Sequence, residues 1–446
     1  MINLHEQTGP DRSLAETRIA DASAPGLFYH GLEYTPPARG TWTIAHTPML
    51  VPGAHEIYVC PQSCLRGVSL SAAEFDGLDR FHMIVVKESD LTTTKGMESL
   101  FIDGVADILD HLSELPPCVF LFTSCLHHFL GTDTREIFRK IRARYPSVDF
   151  VEASMNCTLR NSKRHFEEAT NSALYGALHP RPQNPKSVDL VGNYYAVDPD
   201  SELVFLLDEA GFTVRDLCRT QTYEDYQEMA DASFAVYTHF MGKLSAEDLH
   251  DRFGMTPIAA PYSWDPLEIT ESLQAVSSAT GAPVPDLSAL RTQAEMAFEQ
   301  LRASIGNVEI QIDAAGTPRP FQLARLLLQK GFCVTTVYTD AVLPGDSAAF
   351  EALRTEAPDL VVRAMTHFAL RTWDYDDASK ADGRLLAIGQ KAAYFSGTKH
   401  FVNLIYNSGL WGFTGMVKLC ALMEDAMRNE TETRDVIQVK AWGCHG

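Results

Sequence analysis

The sequence predicts an α/β protein of three Rossmann-like domains, each built on a parallel sheet. The 446 residues exceed what one hydrophobic core normally serves, so several domains are expected. Short apolar strands alternate with longer amphipathic helices, which is the pattern of βαβ units and parallel sheets. This alternation begins three times along the chain, and the proline-rich passage His179–Pro185 separates the first series from the second.

The predicted domains follow these three series. An N-terminal arm and a first α/β domain occupy residues 1–185, a second domain occupies 186–305, and a third, ending in a helix, occupies 306–446. Residues 1–40 form the arm, because prolines interrupt them and they show little periodicity. The elements predicted for the first domain are strand Met83–Val86, a helix through Leu100–Leu109, strand Val119–Thr123, helix Asp133–Tyr145 and strand Val148–Val151.

The other two domains repeat the alternation. The elements predicted for the second are strand Val188–Val191, helix Ser201–Ala210, strand Phe212–Val214, helix Tyr223–Ala230, strand Phe234–Tyr237 and a long helix, Leu287–Ile305. Those predicted for the third are strand Val308–Ile312, helix Pro320–Lys330, strand Cys333–Val337, helix Ala348–Ala357, strand Asp359–Val362, the closing segment Tyr394–Ile405 and helix Gly415–Asn429.

Charge and composition exclude several classes of function. The formal net charge of −21 argues against a nucleic-acid partner, since no basic surface is gathered to neutralise phosphates. No run approaches the roughly 18 apolar residues of a membrane span, and Met1–Glu6 lacks the features of a signal peptide. We therefore expect a cytoplasmic protein without a membrane partner. In that compartment the nine cysteines are not a disulfide framework, and most, such as Cys118, are expected to be small core residues.

Two thiols differ from the rest because polar and turn-forming residues surround them. Cys60 and Cys64 lie beside Pro61 and Gly67, and prolines precede them, so we expect both on a loop. Cys125 ends the apolar strand that begins at Val119. The carboxyl ends of parallel strands form the natural ligand edge of a sheet. Three thiolates on two loop edges of one sheet are what an iron–sulfur cluster requires.

The Cys60-x-x-x-Cys64 spacing is a weak signal by itself. A radical-SAM loop would have a further cysteine where this chain has Gly67, and a zinc ribbon would need a second close pair of Cys or His. Ordinary loop thiols without a metal remain the alternative interpretation.

The order of several motifs resembles nitrogenase component 1. The superfamily includes nitrogenase α and β chains, their assembly scaffold, and nitrogenase-like reductases that act on tetrapyrroles or on carbon–sulfur bonds. The motifs that carry the resemblance are Pro52-Gly53, Cys60-Pro-x-x-Cys64, Glu88 before a helix, Ser124-Cys125, Leu130-Gly-Thr-Asp133, Asp313-x-x-x-x-Pro-Arg-Pro-Phe-x-Leu-Ala324, Gly331-Phe-x-Val334 and Ser408-Gly-x-Trp-Gly-Phe-x-Gly415.

The resemblance implies three α/β domains around a central cleft, with an iron–sulfur cluster at the interface of two homologous chains. Cys64 matches the family cysteine that follows Pro-x-x, and Cys125 matches the one that ends the strand. The family's first cysteine has no counterpart in Thr35–Gly40. Cys60 is the best substitute, and Cys157 is the alternative third ligand. The cluster would be an eight-iron P-type cluster or a four-iron cluster.

The resemblance also implies partners and a division of labour. The expected assembly is an α2β2 heterotetramer with a homologous α-type chain, served by an ATP-dependent iron-protein reductase. Nitrogenase α chains hold a second, catalytic cluster through a cysteine in the middle domain and a histidine near the C-terminal glycine-rich motif. The matching positions here, near Tyr237–His239 and Gly409–Gly412, offer neither. We therefore expect a β-type chain, with the catalytic cofactor in its partner and with His239 as a core or supporting residue.

Two further features are predicted to have minor roles. Arg66 either offsets negative cluster charge or forms a surface salt bridge, and the terminal Gly443–Gly446 is expected to bind no metal. The function expected overall is relay of low-potential electrons to a catalytic metallocluster acting on a small molecule, with a weak preference for reductive C–S cleavage of methylthio-alkanes. A protochlorophyllide-type tetrapyrrole reductase and a non-catalytic cofactor-assembly scaffold remain alternatives. A periplasmic-type binding protein would need a signal peptide.

Overall fold

The computed structural model describes residues 12–28, 34, 44–74, 77–92, 94–156, 166–372 and 385–431. The described residues form three sheets with helices packed around them, so the predicted α/β fold is confirmed. The strands are β1 (Glu16–Arg18), β2 (His55–Pro61), β3 (Phe81–Val86), β4 (Cys118–Ser124), β5 (Asp149–Met155), β6 (Asn184–Val191), β7 (Thr213–Asp216), β8 (Ala232–Tyr237), β9 (Thr256–Ala259), β10 (Glu309–Asp313), β11 (Cys333–Tyr338), β12 (Val361–Arg363), β13 (Leu385–Ile388) and β14 (Phe401–Val402).

The helices lie between these strands. They are α1 (Gln62–Glu74), α2 (Thr94–His111), α3 (Cys125–Phe129), α4 (Thr134–Arg144), α5 (Phe166–Ala173), α6 (Glu202–Glu209), α7 (Tyr223–Glu228), α8 (Gly242–Phe253), α9 (Pro266–Thr280), α10 (Ser288–Ile305), α11 (Pro320–Gln329), α12 (Ser347–Glu356), α13 (Gln390–Ser396) and α14 (Gly412–Arg428). Among the described residues, no helix combines the length and the apolar character that crossing a bilayer requires.

The three sheets share one principle of strand order. The first sheet has the order β3-β2-β4-β5, the second has β7-β6-β8-β9, and both are parallel throughout. In each, the chain starts inside the sheet, adds one strand on one side and then adds strands on the other. The third sheet has the order β1-β12-β11-β10-β13-β14. Its strand order reverses in the same way, because β11 and β12 are added on one side of β10, and β13 and β14 on the other. Ligands of open α/β sheets bind at this reversal, outside the carboxyl ends of the strands.

Burial on both faces explains the sequence of the first sheet. All seven residues of β4 are buried, as expected for a central parallel strand covered by helices on both sides. In β2 the side chains alternate between two cores. Tyr58 and Cys60 face a core shared with the helices of the second domain, and Ile57 and Val59 face the core beneath α2 and α4. The edge strand β3 is different, because Met83 and Val85 on its outer face are exposed.

The N-terminal arm adds a strand that the sequence did not predict. β1 pairs antiparallel with β12, with Glu16 opposite Arg363, and so extends the third sheet. The Arg363 guanidinium donates two hydrogen bonds to one carboxylate oxygen of Glu16, at 3.1 and 2.7 Å. This part of the arm therefore packs on the third sheet and makes no strand pairing with the first.

The glycine-rich segment Ser408–Gly415 ties the C-terminal helix to the second domain. Gly412 has a φ of +73°, and a Cβ there would lie 2.0 Å from a carboxylate oxygen of Glu202. Trp411 is buried and donates its indole N–H to the Ala260 carbonyl at 3.0 Å. Thr414 donates through both its backbone N–H and its hydroxyl to the same Glu202 side chain. In this chain the motif therefore packs the start of the C-terminal helix against Glu202 and Ala260.

Candidate functional site

The three predicted thiols lie at the reversal point of the first sheet. β2 and β4 are neighbouring parallel strands, so their carboxyl ends meet at one edge. Cys60 is the next-to-last residue of β2, Cys64 lies in the first turn of α1, and Cys125 is the first residue of α3. This edge is where the strand order predicts a ligand.

The predicted loop around Cys60 and Cys64 is wrong. β2 continues through Pro61, and α1 begins at the next residue, Gln62, so one thiol belongs to a strand and the other to a helix. The prolines upstream that suggested a loop lie before the strand, where Pro48 begins a short 3-10 helix. A direct strand-to-helix junction holds the two thiols more rigidly than a loop would, because both backbones are hydrogen-bonded.

The three thiols differ in burial, and the charges of Cys64 and Cys125 affect the pKa of Cys60. Cys60 is fully buried, Cys125 is partly buried and Cys64 is exposed. Burial, with smaller contributions from the charges of Cys64 and Cys125, raises the pKa of Cys60 to about 12. The two other thiols are therefore close enough to Cys60 for their charges to be felt there.

The donors at this edge are thiols, the ligand type of iron–sulfur clusters, in which each thiolate binds a different iron atom. Within the described ranges, no group of three or more His, Cys, Asp or Glu side chains is arranged to hold a metal ion. The raised pKa of Cys60 means that its thiol is uncharged at neutral pH, and binding of cationic iron would release its proton.

Sequence reasoning missed His127, which fixes the turn that carries Cys125. Its Nδ1 accepts a hydrogen bond from the Ser124 backbone N–H at 3.0 Å, in a capping box at the start of α3. The ring is buried edge-on against Phe101, with 5.5 Å between centroids, and burial lowers the pKa of His127. The Ser-x-x-His spacing could have been noticed as a variant of the capping-box pattern.

The wall behind Cys60 is dry and aromatic. Tyr58 stacks on Phe122, with ring centroids 4.2 Å apart, and lies against Phe81. Glu56 is on the same face of β2 and is fully buried, with neither carboxyl oxygen hydrogen-bonded in the described part of the chain. Burial raises the pKa of Glu56 well above its usual value, which favours the uncharged carboxyl.

The remaining predicted residues have simpler environments or cannot be placed. Arg66 is exposed on α1 and forms no ion pair with any described residue. Cys157 and Gly443–Gly446 lie outside the described residues. The indole N–H of Trp411 is already used in the hydrogen bond to the Ala260 carbonyl.

His239 lies at the corresponding point of the second sheet, just beyond β8. It forms part of the wall of a cavity of about 680 Å³ between the second and third sheets. The ring is buried and contacts Phe240 and Tyr406, with centroids 4.4 and 5.2 Å away. Burial, with a smaller effect of Arg319, lowers the pKa of His239 to about 3, so the imidazole is neutral. None of the described residues that line this cavity is a cysteine.

Comparison with known proteins identifies an oxidoreductase. The sequence model of the nitrogenase component 1 type oxidoreductase family matches residues 47–426, and the chain therefore belongs to that family. The structure is similar to that of nitrogenase Cp1 at pH 6.5, with a TM-score of 0.65 and 14% identity, over 91% of this chain and 96% of the other. A structure of nitrogenase Cp1 at pH 5 gives 0.57 and 13%, over 93% and 94%. These identities show a shared fold. No curated protein matches the sequence.

Proposed function

We propose that this chain is the β-type, electron-carrying subunit of a nitrogenase-like iron–sulfur reductase, and that Cys60, Cys64 and Cys125 hold its cluster. The observation that supports the proposal is that all three thiols lie at the carboxyl ends of β2 and β4, the reversal point of the first sheet. Such an edge is the usual ligand site of an open α/β sheet. The cluster, of the P type or a four-iron type, would supply a low-potential one-electron carrier.

The chain's own residues would prepare this site in two ways. Tyr58 and Phe122 stack on each other in the same buried core as Cys60, and this core would keep water from the ligand. His127 and Ser124 hold the first turn of α3, so that the Cys125 thiol has a fixed direction. Such supporting hydrogen bonds commonly affect metal affinity as much as the ligands' own geometry does.

A homologous partner chain would complete the site. Cys64 is exposed, and two large apolar side chains near Cys125 are exposed too, Phe129 (66%) at the end of α3 and Leu130 (37%) directly after it. Apolar surface beside exposed ligands is typical of an interaction site. We infer an α2β2 heterotetramer in which an α-type chain covers this surface and supplies the other cluster ligands.

The proposed electron flow, from the cluster of this chain to a catalytic cluster in the partner, rests on the ligands that this chain has. The cavity beside His239 has no cysteine among its described lining residues, so the catalytic metallocluster is assigned to the partner. An ATP-dependent iron-protein reductase would deliver the electrons. We favour reductive C–S cleavage of methylthio-alkanes as the reaction, on general likeness to those reductases.

Metal analysis of cysteine variants tests the proposal. Protein purified without oxygen should contain iron and acid-labile sulfide, and Cys64→Ala or Cys125→Ala should remove most of both, because each lost thiolate opens a labile site. The control is Cys333→Ala, which removes a partly buried thiol from β11 in the third sheet and should leave the iron content unchanged. A Cys64→Ala protein with full iron would contradict the assignment.

A further inference from the structure

The cavity between the second and third sheets has the size and lining of a small-molecule site. Its volume of about 680 Å³ lies within the range of roughly 300–1,000 Å³ that is usual for ligand pockets. It opens at the carboxyl ends of β8 and β9 and is closed by the segments that follow β10 and β11. Most of its wall is apolar or aromatic, formed by Tyr237, Phe240, Pro261, Tyr262, Pro318 and Leu343.

Arg319 brings a charged group with unused donors into this wall. Its side chain is only 13% exposed, and Nη1 donates to a carboxylate oxygen of Glu268. The Nε and Nη2 atoms have no hydrogen-bond partner among the described residues. A Cβ at position 345 would be 3.0 Å from Nη2, 3.2 Å from Cζ and 3.3 Å from Nε, so a side chain there would crowd these donors, and Gly345 leaves room beside them.

A free Nε–Nη2 edge recognises a particular kind of ligand. Two parallel N–H groups match the two oxygens of a carboxylate, and the resulting charge-assisted pair is stronger than a neutral hydrogen bond. Glu268 already occupies Nη1, so Arg319 is held in place for a second anion.

His239 adds a second donor and is unsuited to bind a metal in this arrangement. Its Nδ1 accepts a hydrogen bond from the Met241 backbone N–H at 3.3 Å, so the proton of the neutral ring is on Nε2. Metal-binding histidines usually donate from the other ring nitrogen instead. The Nε2–H is buried without an acceptor in the described structure, and a polar ligand atom could satisfy it.

The other charges of the cavity wall are already engaged. Both carboxylate oxygens of Asp346 accept backbone N–H groups, from Phe321 and Gln322, at 2.8 Å. Lys243 is exposed and lies 3.8 Å from Glu247. Glu168, the remaining charged lining residue, is only partly buried at the rim of the wall and has a partner of its own.

We propose that this cavity binds a small organic carboxylate with an apolar body. The carboxylate pairs with the Nε–Nη2 edge of Arg319, and the apolar part packs on the aromatic wall. The Nε2–H of His239 is available to a carbonyl or hydroxyl oxygen of the ligand. This site is separate from the thiols, and the proposal does not depend on the cluster.

Titration with 2-naphthoate tests the carboxylate site, followed by its fluorescence on the purified complex. We expect 2-naphthoate to bind at least tenfold more tightly than its neutral methyl ester. Arg319→Met should remove this preference, and Arg319→Lys should restore it only in part, since lysine keeps the charge but not the fork. The control is Arg325→Met in α11, the helix that begins directly after Arg319. Arg325 pairs with Glu356 outside the cavity, and its loss should change nothing.

A second pair of variants tests His239. Phenylalanine keeps an aromatic ring but removes the N–H donor, so His239→Phe should weaken 2-naphthoate binding severalfold. His239→Gln keeps an N–H donor, so its affinity for 2-naphthoate should be closer to that of the parent protein. The iron content should be unchanged in both. Equal binding by Arg319→Met and Arg325→Met, or loss of iron in His239→Phe, would overturn the proposal. Cys64→Ala should bind 2-naphthoate normally, which separates this test from that of the cluster.

Discussion

The first and second sheets have the same strand order, and each presents its candidate ligands at the same place. In the first, β2 and β4 end beside Cys60 and Cys125. In the second, β6 and β8 end beside Gly192 and His239. Both positions follow from the reversal of strand order, which leaves a crevice at the carboxyl ends. Topology therefore decides where a ligand can bind, and it does so twice in one chain.

The chemistry at the two crevices is different. The first has thiols, one of them exposed, next to exposed apolar residues such as Phe129, so it is suited to a cluster covered by a partner. The second is bordered by the segments that follow β10 and β11 of the third sheet, and offers donors on Arg319 and His239 but no described cysteine. On the two proposals above, side chains at two or three positions, and not the fold, separate a metal site from an organic one.

The largest effect that tests this comparison is expected from Cys60. Cys60→Ala and Cys118→Ala each remove a fully buried thiol from the first sheet, and the two lie on neighbouring strands. Only Cys60 is at the carboxyl edge, because Cys118 begins β4. Iron and sulfide analysis should show that Cys60→Ala loses most of the metal and Cys118→Ala none.

The outcome also decides between the two third ligands that the sequence left open. If Cys60→Ala kept its iron while Cys157→Ala lost it, the third thiolate would be Cys157. The three-thiol geometry at the first crevice would then not be the ligand set.

A smaller effect is expected from His127, which acts through the position of Cys125. His127→Ala should lower the affinity for the cluster roughly tenfold, as loss of a supporting hydrogen bond does in other metal sites. His127→Gln should restore it, since glutamine can close the same capping box. The rate at which a chelator removes iron measures the effect. His128→Ala is the control, because that neighbour is exposed. Equal rates for both alanine variants would exclude a positioning role.

Much of the fold was accessible from local sequence. Strand Val119–Thr123 was predicted within one residue of β4 at each end, since its continuous apolar run has a single interpretation between Pro117 and the following turn. Helix Leu287–Ile305 was predicted for the same reason, because a long stretch after Pro285 places its apolar residues at helical spacing. Where apolar burial determines the element, the sequence pattern predicts it.

Elements that depend on distant partners were missed. β1 is three residues long and exists because it pairs with β12, more than 300 positions later in the chain. α8, β9, α9 and β13 were also missed. In α8 three of the four buried positions are small, Gly242, Ser245 and Ala246, so its apolar face is weak. Tyr406, Asn407 and Ser408 all have positive φ values, which no local pattern predicted, and backbone bonds from Tyr406 and Asn407 to Ala315 and Gly316 hold them.

The candidate site was predicted in part, for the same physical reasons. The thiols could be found because cysteines near turn residues are conspicuous. The position of Cys60 inside a strand could not be predicted. Pro61 and Gly67 suggest a turn, even though here a helix follows the strand directly. The cavity beside Arg319 was not predicted, since its wall joins segments of two domains that are far apart in the sequence.

The smallest expected effect concerns Trp411, in the C-terminal glycine-rich motif Ser408–Gly415. Here its indole N–H is used by the Ala260 carbonyl, and the side chain is buried. Trp411→Phe should therefore leave the iron content unchanged and lower the free energy of unfolding by about 1 kcal/mol, the value of one lost hydrogen bond. Trp264→Phe is the matched control, because that buried indole donates to the Thr317 hydroxyl at the same distance, 3.0 Å, and should show a similar loss in denaturant unfolding. Loss of iron in Trp411→Phe alone would mean that the C-terminal segment supports a metal site, and the second crevice would then no longer be a purely organic one.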